Sequence, residues 1–306
     1  MKRKKILVTG GSGVIGRELL FRLNDLHNDV LSVDKIPPTV DFLPDNTTFI
    51  KLNIALDDLK DIVAFNPEVI FHLAASFERS AESAEFWDTN WLDNTLLSHR
   101  IVEILRKCSS IQKFIFASSY LIYDPALYLK GESIGFLKEK DYVSPRNLTG
   151  AAKYYTEKEL AFMKEYVRPD VDIVNARIFR VYGCGSKDVV SRWVRDCLTN
   201  KEIELFNKEN IFDFIYAGDV AEGLVRLSEV SNFTGCVNLG FGRGNSIADV
   251  IDVINNNLPC KVNDSGTIIN VEKSVADLTL LKRLTDWNPS TTLQEGIGKV
   301  IVYERG

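Results

Sequence analysis

The sequence predicts an α/β chain, a doubly wound parallel sheet with a smaller, mixed α/β C-terminal lobe, and three observations predict it. Short apolar runs alternate with longer helical patterns through the first two-thirds of the chain. Those runs are near-continuously apolar, as strands covered on both faces must be. After Arg177 the alternation weakens, and Gly, Asn and Asp become frequent among shorter elements.

The first strand is Lys5-Ile6-Leu7-Val8, followed by a helix from Gly13 to about Asn24 and a second strand, Asp29-Val30-Leu31-Ser32-Val33. Thr48-Phe49-Ile50-Lys51-Leu52, Val69-Ile70-Phe71-His72-Leu73, Lys113-Phe114-Ile115-Phe116-Ala117 and Asp172-Ile173-Val174-Asn175-Ala176 continue the rhythm. Long helical patterns run from about Glu85 to Lys107 and from Leu148 to Tyr166, the second carrying Ala151, Ala152, Tyr155, Leu160 and Met163 at helical spacings. No internal repeat or low-complexity linker interrupts them, so the lobes are expected to pack tightly. Residues 1–178 and 211–240 are assigned to the sheet domain, 179–210 and 241–306 to the smaller lobe.

The 306 residues, 45% hydrophobic and 26% charged, are enough for a sizeable core. A net charge of -5 and a single dense basic run, Lys2-Arg3-Lys4-Lys5, argue against nucleic acid. That run reads as a solvated tail. The five cysteines are scattered without close pairs, which argues against a metal site or a disulfide framework and fits a reducing cytoplasm. No apolar stretch reaches the ~18 residues of a membrane helix, and the basic start runs into a strand rather than a cleavage site, so the chain is read as mature and soluble.

The strongest local signal is Thr9-Gly10-Gly11-Ser12-Gly13-Val14-Ile15-Gly16, between the first strand and its helix. Glycines here let the backbone approach a pyrophosphate that faces the helix N-terminus. Asp34 ends the second strand 18 residues after Gly16, where a carboxylate can accept hydrogen bonds from a ribose and repel a 2′-phosphate. NAD is therefore expected over NADP, with Lys35 the one nearby charge that argues otherwise.

These motifs resemble those of the extended short-chain dehydrogenase/reductase family, which includes the NAD-dependent nucleotide-sugar epimerases and dehydratases and is built on a Rossmann fold. Further motifs follow in register over nearly the whole chain: His72-Leu73-Ala74-Ala75, Asn90, Tyr182-Gly183, Phe212 through Val220, and Val237-Asn238-Leu239-Gly240. The resemblance implies that Gly10, Gly13, Val14, Ile15 and Gly16 hold the pyrophosphate. It places Asn53 and Ile54 near the adenine and Leu73, Ala74, Ala75 and Ser118 along the cofactor. It also implies a homodimer formed through the two long helices.

At the catalytic end the family holds the sugar hydroxyl with a Ser or Thr after the fifth strand, and Ser119 takes that place. Read without the family, Ser118 and Ser119 are hydroxyls at the ligand-binding edge of a parallel sheet. The Asp-Glu pair of the usual 4,6-dehydratases is replaced by Tyr120-Leu121, which cannot supply that acid/base chemistry. In the family's Tyr-x-x-x-Lys motif the phenol takes the substrate proton, and the Lys lowers its pKa and contacts the nicotinamide ribose. Here Lys153 is in register and Thr149 stands at the tyrosine position. An aliphatic alcohol titrates far too high to act as a base. Replacement groups are Glu78, Glu82, Tyr120, Tyr123 and Cys184; a water held by Thr149 that passes protons to Lys153 is a further route.

Arg180 stands where the family often has an Asn near the diphosphate, and Phe212 where it often has an Arg. One cation is lost and another gained, so a phosphate-bearing substrate is expected with a changed grip. Glu78, Ser119, Arg180 and Arg192 are the expected substrate contacts, with Arg243 a further cation. The leading expectation is epimerisation of a nucleotide-activated sugar through a transient keto intermediate. The alternatives are a nucleotide-sugar dehydratase with an unusual acid/base set and a low-activity protein that binds NAD and a sugar nucleotide.

Overall fold

The structure, a computed structural model, describes residues 3–38, 43–77, 82–129, 134–266 and 271–306. The chain opens with β1 (Lys5–Thr9), α1 (Val14–Asp25), β2 (Asp29–Asp34), β3 (Thr47–Lys51), α2 (Lys60–Phe65) and β4 (Val69–His72). A continuous helical stretch follows, in which α3 (Phe86–Asn90) passes through a π-helical segment (Trp91–Leu96) into α4 (Leu97–Lys107). Next come β5 (Lys113–Ser119), a 3-10 turn (Tyr120–Ile122), β6 (Gly135–Leu137), α5 (Leu148–Phe162) and β7 (Asp172–Ile178).

The seven strands of the main sheet lie in the order β11-β7-β5-β4-β1-β2-β3, where β11 is Gly235–Leu239, and every pairing is parallel. Neighbouring side chains of a strand point to opposite faces. In β1, Ile6 and Val8 join the core under α1, while Leu7 joins the core under α2 and α4. Burial on both faces is why these strands read as unbroken apolar runs.

A second, mixed sheet gathers short strands from far apart. β8 is Arg180–Tyr182, β9 Ile203–Leu205, β10 Ile211–Tyr216, β12 Gly244–Ser246, β13 Val262–Asp264 and β14 Lys273–Ala276. The order is β12-β10-β14-β6, with β8 also on β10 and β9 paired with β13 apart from them. Three helices cover it, α6 (Val189–Leu198), α8 (Ile247–Asn257) and α10 (Leu293–Arg305), with Trp193, Val250, Ile254, Ile297 and Val300 packed on Phe212 and Phe214. The remaining helices, α7 (Ala217–Glu229) and α9 (Thr279–Thr285), return to the main sheet.

The segment 211–216, assigned from sequence to the sheet domain, pairs in this second sheet, whereas α7 packs on α1. Alternation explains the split. Phe212, Phe214 and Tyr216 point into the core beneath α6, α8 and α10, and Ile215 points into the core of the main sheet. Among the described residues no helix is long and apolar enough to cross a membrane.

Candidate active site

The strand order changes direction between β1 and β4, which opens a crevice at their C-terminal ends. The glycine turn after β1 fills its floor. Gly10 has φ +77, and a Cβ on it would lie 2.6 Å from the Ala74 nitrogen; a Cβ on Gly16 would lie 2.2 Å from the Gly10 oxygen. Only hydrogen at these positions lets α1 and β4 close on the turn. Gly13 is the N-cap of α1, exposed and without a side-chain cap, so the N-terminus of that helix, with Val14, Ile15 and Gly16 in its first turn, is left for an anion.

Asp34 lies beside this turn, accepting from the backbone N–H of Ser12 and of Ile36, each at 3.1 Å. Lys35 is paired with the largely buried Asp93, which also accepts from the Ser76 hydroxyl at 2.6 Å. The cation next to Asp34 is thereby tied back to the π-helical segment. A glycine cradle that a Cβ would fill, an uncapped helix end and a carboxylate at the next strand fit a dinucleotide without a 2′-phosphate.

The remaining residues expected along the cofactor are placed unevenly. Asn53 closes its own turn, with its side-chain oxygen accepting from Ala55 N–H at 3.1 Å. Ile54 is 2% exposed, packed in the core, with its carbonyl taken by Arg100. Leu73 and Ala74 line the end of β4, where the Leu73 and Ala74 amides donate to the Thr9 carbonyl and hydroxyl, and Ala75 is exposed. Thr9 also bonds Nδ1 of His72, whose Nε2 meets Ser98. Burial, then the Lys153 charge, push the His72 pKa down to about 3, so this imidazole is neutral and serves as a connector. Asn90 is likewise structural, its side-chain oxygen accepting from Asn94, which in turn grips Ser76.

At the end of β5 the two serines diverge. Ser118 is buried and donates to Glu157 at 2.5 Å, and Glu157 is held by Arg177 at 2.9 Å. Ser119 is only partly buried; its oxygen accepts from Leu121 N–H at 3.2 Å, capping the 3-10 turn and leaving its proton to donate elsewhere. Helix α5 approaches that turn closely because of Gly150, where a Cβ would lie 2.6 Å from the Leu121 carbonyl oxygen.

Thr149 and Lys153 stand one turn apart on α5, both buried. The Lys153 ammonium lies 4.8 Å from the centre of the Phe116 ring, and burial brings its pKa down to about 8. Thr149 donates its hydroxyl to Glu82 Oε1 at 2.8 Å. The same carboxylate accepts the backbone N–H of Thr149 at 3.0 Å and of Leu148 at 2.6 Å. Asn147 caps the next N–H, that of Gly150.

Of the other groups weighed as proton acceptors, Tyr123 is fully buried, donating to Asn238 and accepting from Arg177, and burial pushes its phenol up. Tyr120 is stacked on Phe179 and points at Glu272. Burial raises the Cys184 thiol, which contacts Tyr216 and the Lys299 carbonyl. Glu78 lies outside the described residues.

On the substrate side, Arg180 stacks on Phe212, its guanidinium carbon 3.6 Å from the ring centre. Arg192 is partly buried on α6 and Arg243 is exposed. Sequence reasoning missed Glu272, a buried carboxylate held by Arg146 at 2.8 Å and Ser274 at 2.9 Å, beneath Tyr120. Its partners are scattered from Tyr120 to Ser274, and no local pattern marks it.

The model of the NAD-dependent epimerase/dehydratase family matches residues 6–240. An uncharacterized UDP-glucose epimerase of Bacillus subtilis (strain 168), YtcB, is 28% identical over 318 residues, covering 98% of this chain and 97% of that protein. A UDP-glucose 4-epimerase of Thermotoga maritima, solved with UDP-glucose, is 26% identical with a TM-score of 0.82 and 98% of each chain covered. The UDP-N-acetylglucosamine 4-epimerase of Methanobrevibacter ruminantium M1, solved with UDP-N-acetylmuramic acid, is 25% identical with a TM-score of 0.84 and 99% of each chain covered.

Proposed function

The chain belongs to the NAD-dependent epimerase/dehydratase family, and from that premise we propose that it epimerises a nucleotide-activated sugar through a transient keto intermediate. The observation that carries this reading is a convergence at one sheet edge. The glycine cradle after β1, Ser119 at the end of β5, and Thr149 and Lys153 on the helix packed against β5 all lie about the switch between β1 and β4.

Bound in this crevice, NAD would supply a reversible acceptor and donor of hydride for the sugar. In this reading Gly10, Gly13, Val14, Ile15 and Gly16 hold its pyrophosphate, Asp34 its adenosine ribose, and Ala74 and Ala75 border it. Leu73 borders it with Ala74, while Asn53, Ile54 and Ser118 stabilise the walls of the crevice, since their contacts are internal. Lys153, a cation softened by burial, orients the nicotinamide ribose and steadies negative charge developing on the sugar oxygen. Ser119 and Thr149 face the sugar hydroxyl, and Arg180, pinned by Phe212, reaches for the diphosphate with Arg192 near it. Tyr120 and Leu121 after Ser119 are buried and carry no carboxylate, which disfavours the usual 4,6-elimination.

Two further readings accompany this one. The five cysteines of the chain are all free, in keeping with a reducing cytoplasm. The exposed aromatics of α3, the π-helical segment and α5 support a homodimer.

The test is to incubate the protein and NAD with a panel of nucleotide sugars, UDP-sugars first, and to follow product mass and stereochemistry. An epimer with the substrate's mass is expected. A product lighter by one water would replace epimerisation with dehydration, and no conversion across the panel would overturn the enzymatic reading.

A further inference from the structure

We propose that Glu82 is the terminal proton acceptor of this reaction, receiving through the Thr149 hydroxyl the proton that the sugar hydroxyl gives up. The inference rests on the epimerase reading above and on Thr149 standing where the family carries a tyrosine.

A threonine hydroxyl cannot hold the substrate proton at neutral pH, but it can conduct one. Its oxygen has a single proton to give and lone pairs to receive another. That proton is already directed, since Thr149 Oγ1 lies 2.8 Å from Glu82 Oε1, a separation at which transfer between oxygens is short-range. Donation to an anion polarises the hydroxyl and makes its oxygen a better acceptor for a second donor on its other side.

The carboxylate is held for this task. Glu82 reaches α5 from the loop after β4, and the amides of Leu148 and Thr149 fix both of its oxygens. Helix capping alone does not account for the Thr149 hydroxyl contact, and Asn147 independently caps the helix through the Gly150 amide. Of the other described groups weighed as acceptors, Tyr123 is committed to Asn238 and Arg177, Tyr120 to Glu272 and Cys184 to Tyr216, while Lys153, with its pKa at about 8, is largely protonated at neutral pH.

The step balances as follows. The sugar O–H bond breaks and its proton forms a new bond to Thr149 Oγ1, while the proton already on Thr149 passes to the Glu82 carboxylate. The electrons of the adjacent C–H bond leave as hydride to the oxidised nicotinamide, giving a keto sugar and a neutral Glu82. Once the opposite face of the ketone is presented, hydride returns and the same two protons move back, leaving Glu82 ionised and Thr149 intact.

Glu82→Gln retains an oxygen for Thr149 but cannot take a proton. The expected result is a kcat lower by ~10²–10⁴-fold, a KM within about threefold, a melting temperature close to that of wild type, and loss of the acidic limb of the pH–kcat profile. Formate should restore turnover to Glu82→Ala in a concentration-dependent way. Thr149→Val should lose as much kcat as Glu82→Gln, Thr149→Ser should keep most of it, and the double variant Glu82→Gln/Thr149→Val should be no worse than either single one. Should both Glu82 variants fail to fold, the Thr149 pair decides: equal kcat in Thr149→Val and wild type overturns the relay. Glu82→Gln with wild-type kcat and pH profile overturns it, as does a Glu82→Ala protein that folds, binds nucleotide sugar and ignores formate. A wild-type protein inert toward every nucleotide sugar overturns the epimerase reading and the relay together, whereas an active wild type with indifferent variants overturns the relay alone.

Discussion

Lys153 points its ammonium at the face of the Phe116 ring, 4.8 Å from the centre, and in that buried position its pKa falls from 10.5 to about 8. The sign of the consequence for stability follows from proton counting. Between pH 8 and 10.5 the unfolded chain holds a proton that the folded chain has lost, so stability rises with pH across that window. Below about pH 8 both states are protonated, and the folded state bears the whole cost of the buried cation. Lys153→Met should therefore stabilise the cofactor-free protein at pH 7 by ~1–2 kcal/mol, allowing ~1 kcal/mol for the lost cation–ring attraction. The gain should shrink above pH 8 and vanish near pH 10.5, as urea melts across that range would register, and turnover should be abolished. A destabilised variant at pH 7 would show that Lys153 contributes to the fold instead.

Asp34 and Lys35 make opposite demands on a cofactor, and the pairing of Lys35 with Asp93 decides between them. Asp34→Ala should weaken NAD binding by ~10–100-fold, the worth of hydrogen bonds to an ionised acceptor. NADP binding should hardly improve while Lys35 stays tied to Asp93. Asp34→Ala/Asp93→Ala frees the lysine and should shift preference toward NADP. Calorimetric titration of both cofactors gives the comparison, and unchanged discrimination in Asp34→Ala would remove that residue from the cofactor site.

Ser118 offers a sharper test of which β5 hydroxyl acts on ligands. It is 4% exposed and bonded to Glu157, whose charge is balanced by Arg177. Ser118→Ala should lower stability by ~1–2 kcal/mol and leave the Kd for NAD unchanged, whereas Ser119→Ala should cost only the ~0.5–1 kcal/mol of a lost cap and reduce kcat. Arg177→Met strands the Glu157 charge in the interior and should cost ~3–5 kcal/mol, most of it recovered when Glu157 is also replaced by Met. Thermal melts of the single and double variants are sufficient to measure this.

The two serines also mark the limit of what the sequence could reveal. A strand ending in two hydroxyls is visible locally, but the acceptor of Ser118 lies on α5, brought there by the packing of that helix against β5. The glycine cradle and Asp34 were legible because a turn and the next strand end are fixed by local chemistry. The second sheet was not, since β6, β12 and β14 have only three or four residues each and gain their partners from remote segments. Glu82 was visible only as one acid among several. Its bond to Thr149 depends on how the loop after β4 meets α5, and no spacing encodes that.

Trp87 and Trp91 expose 66% and 57% of their surface on the helical stretch that packs beside α5, where Tyr155, Phe162 and Tyr166 are similarly exposed. Large aromatics bury ~150–250 Å² each, so half of that area from five residues on adjacent helices amounts to several hundred square ångströms, enough for the apolar centre of an interface of ~800 Å² per partner. Placing a charge there should split the assembly. Trp91→Glu is expected to weaken self-association by at least ~30-fold, the loss of one ~2 kcal/mol anchor. Light scattering over a dilution series should show a dimer for the wild type and a monomer for the variant. A wild-type protein that scatters as a monomer throughout would mean that these aromatics serve something other than a second copy of the chain.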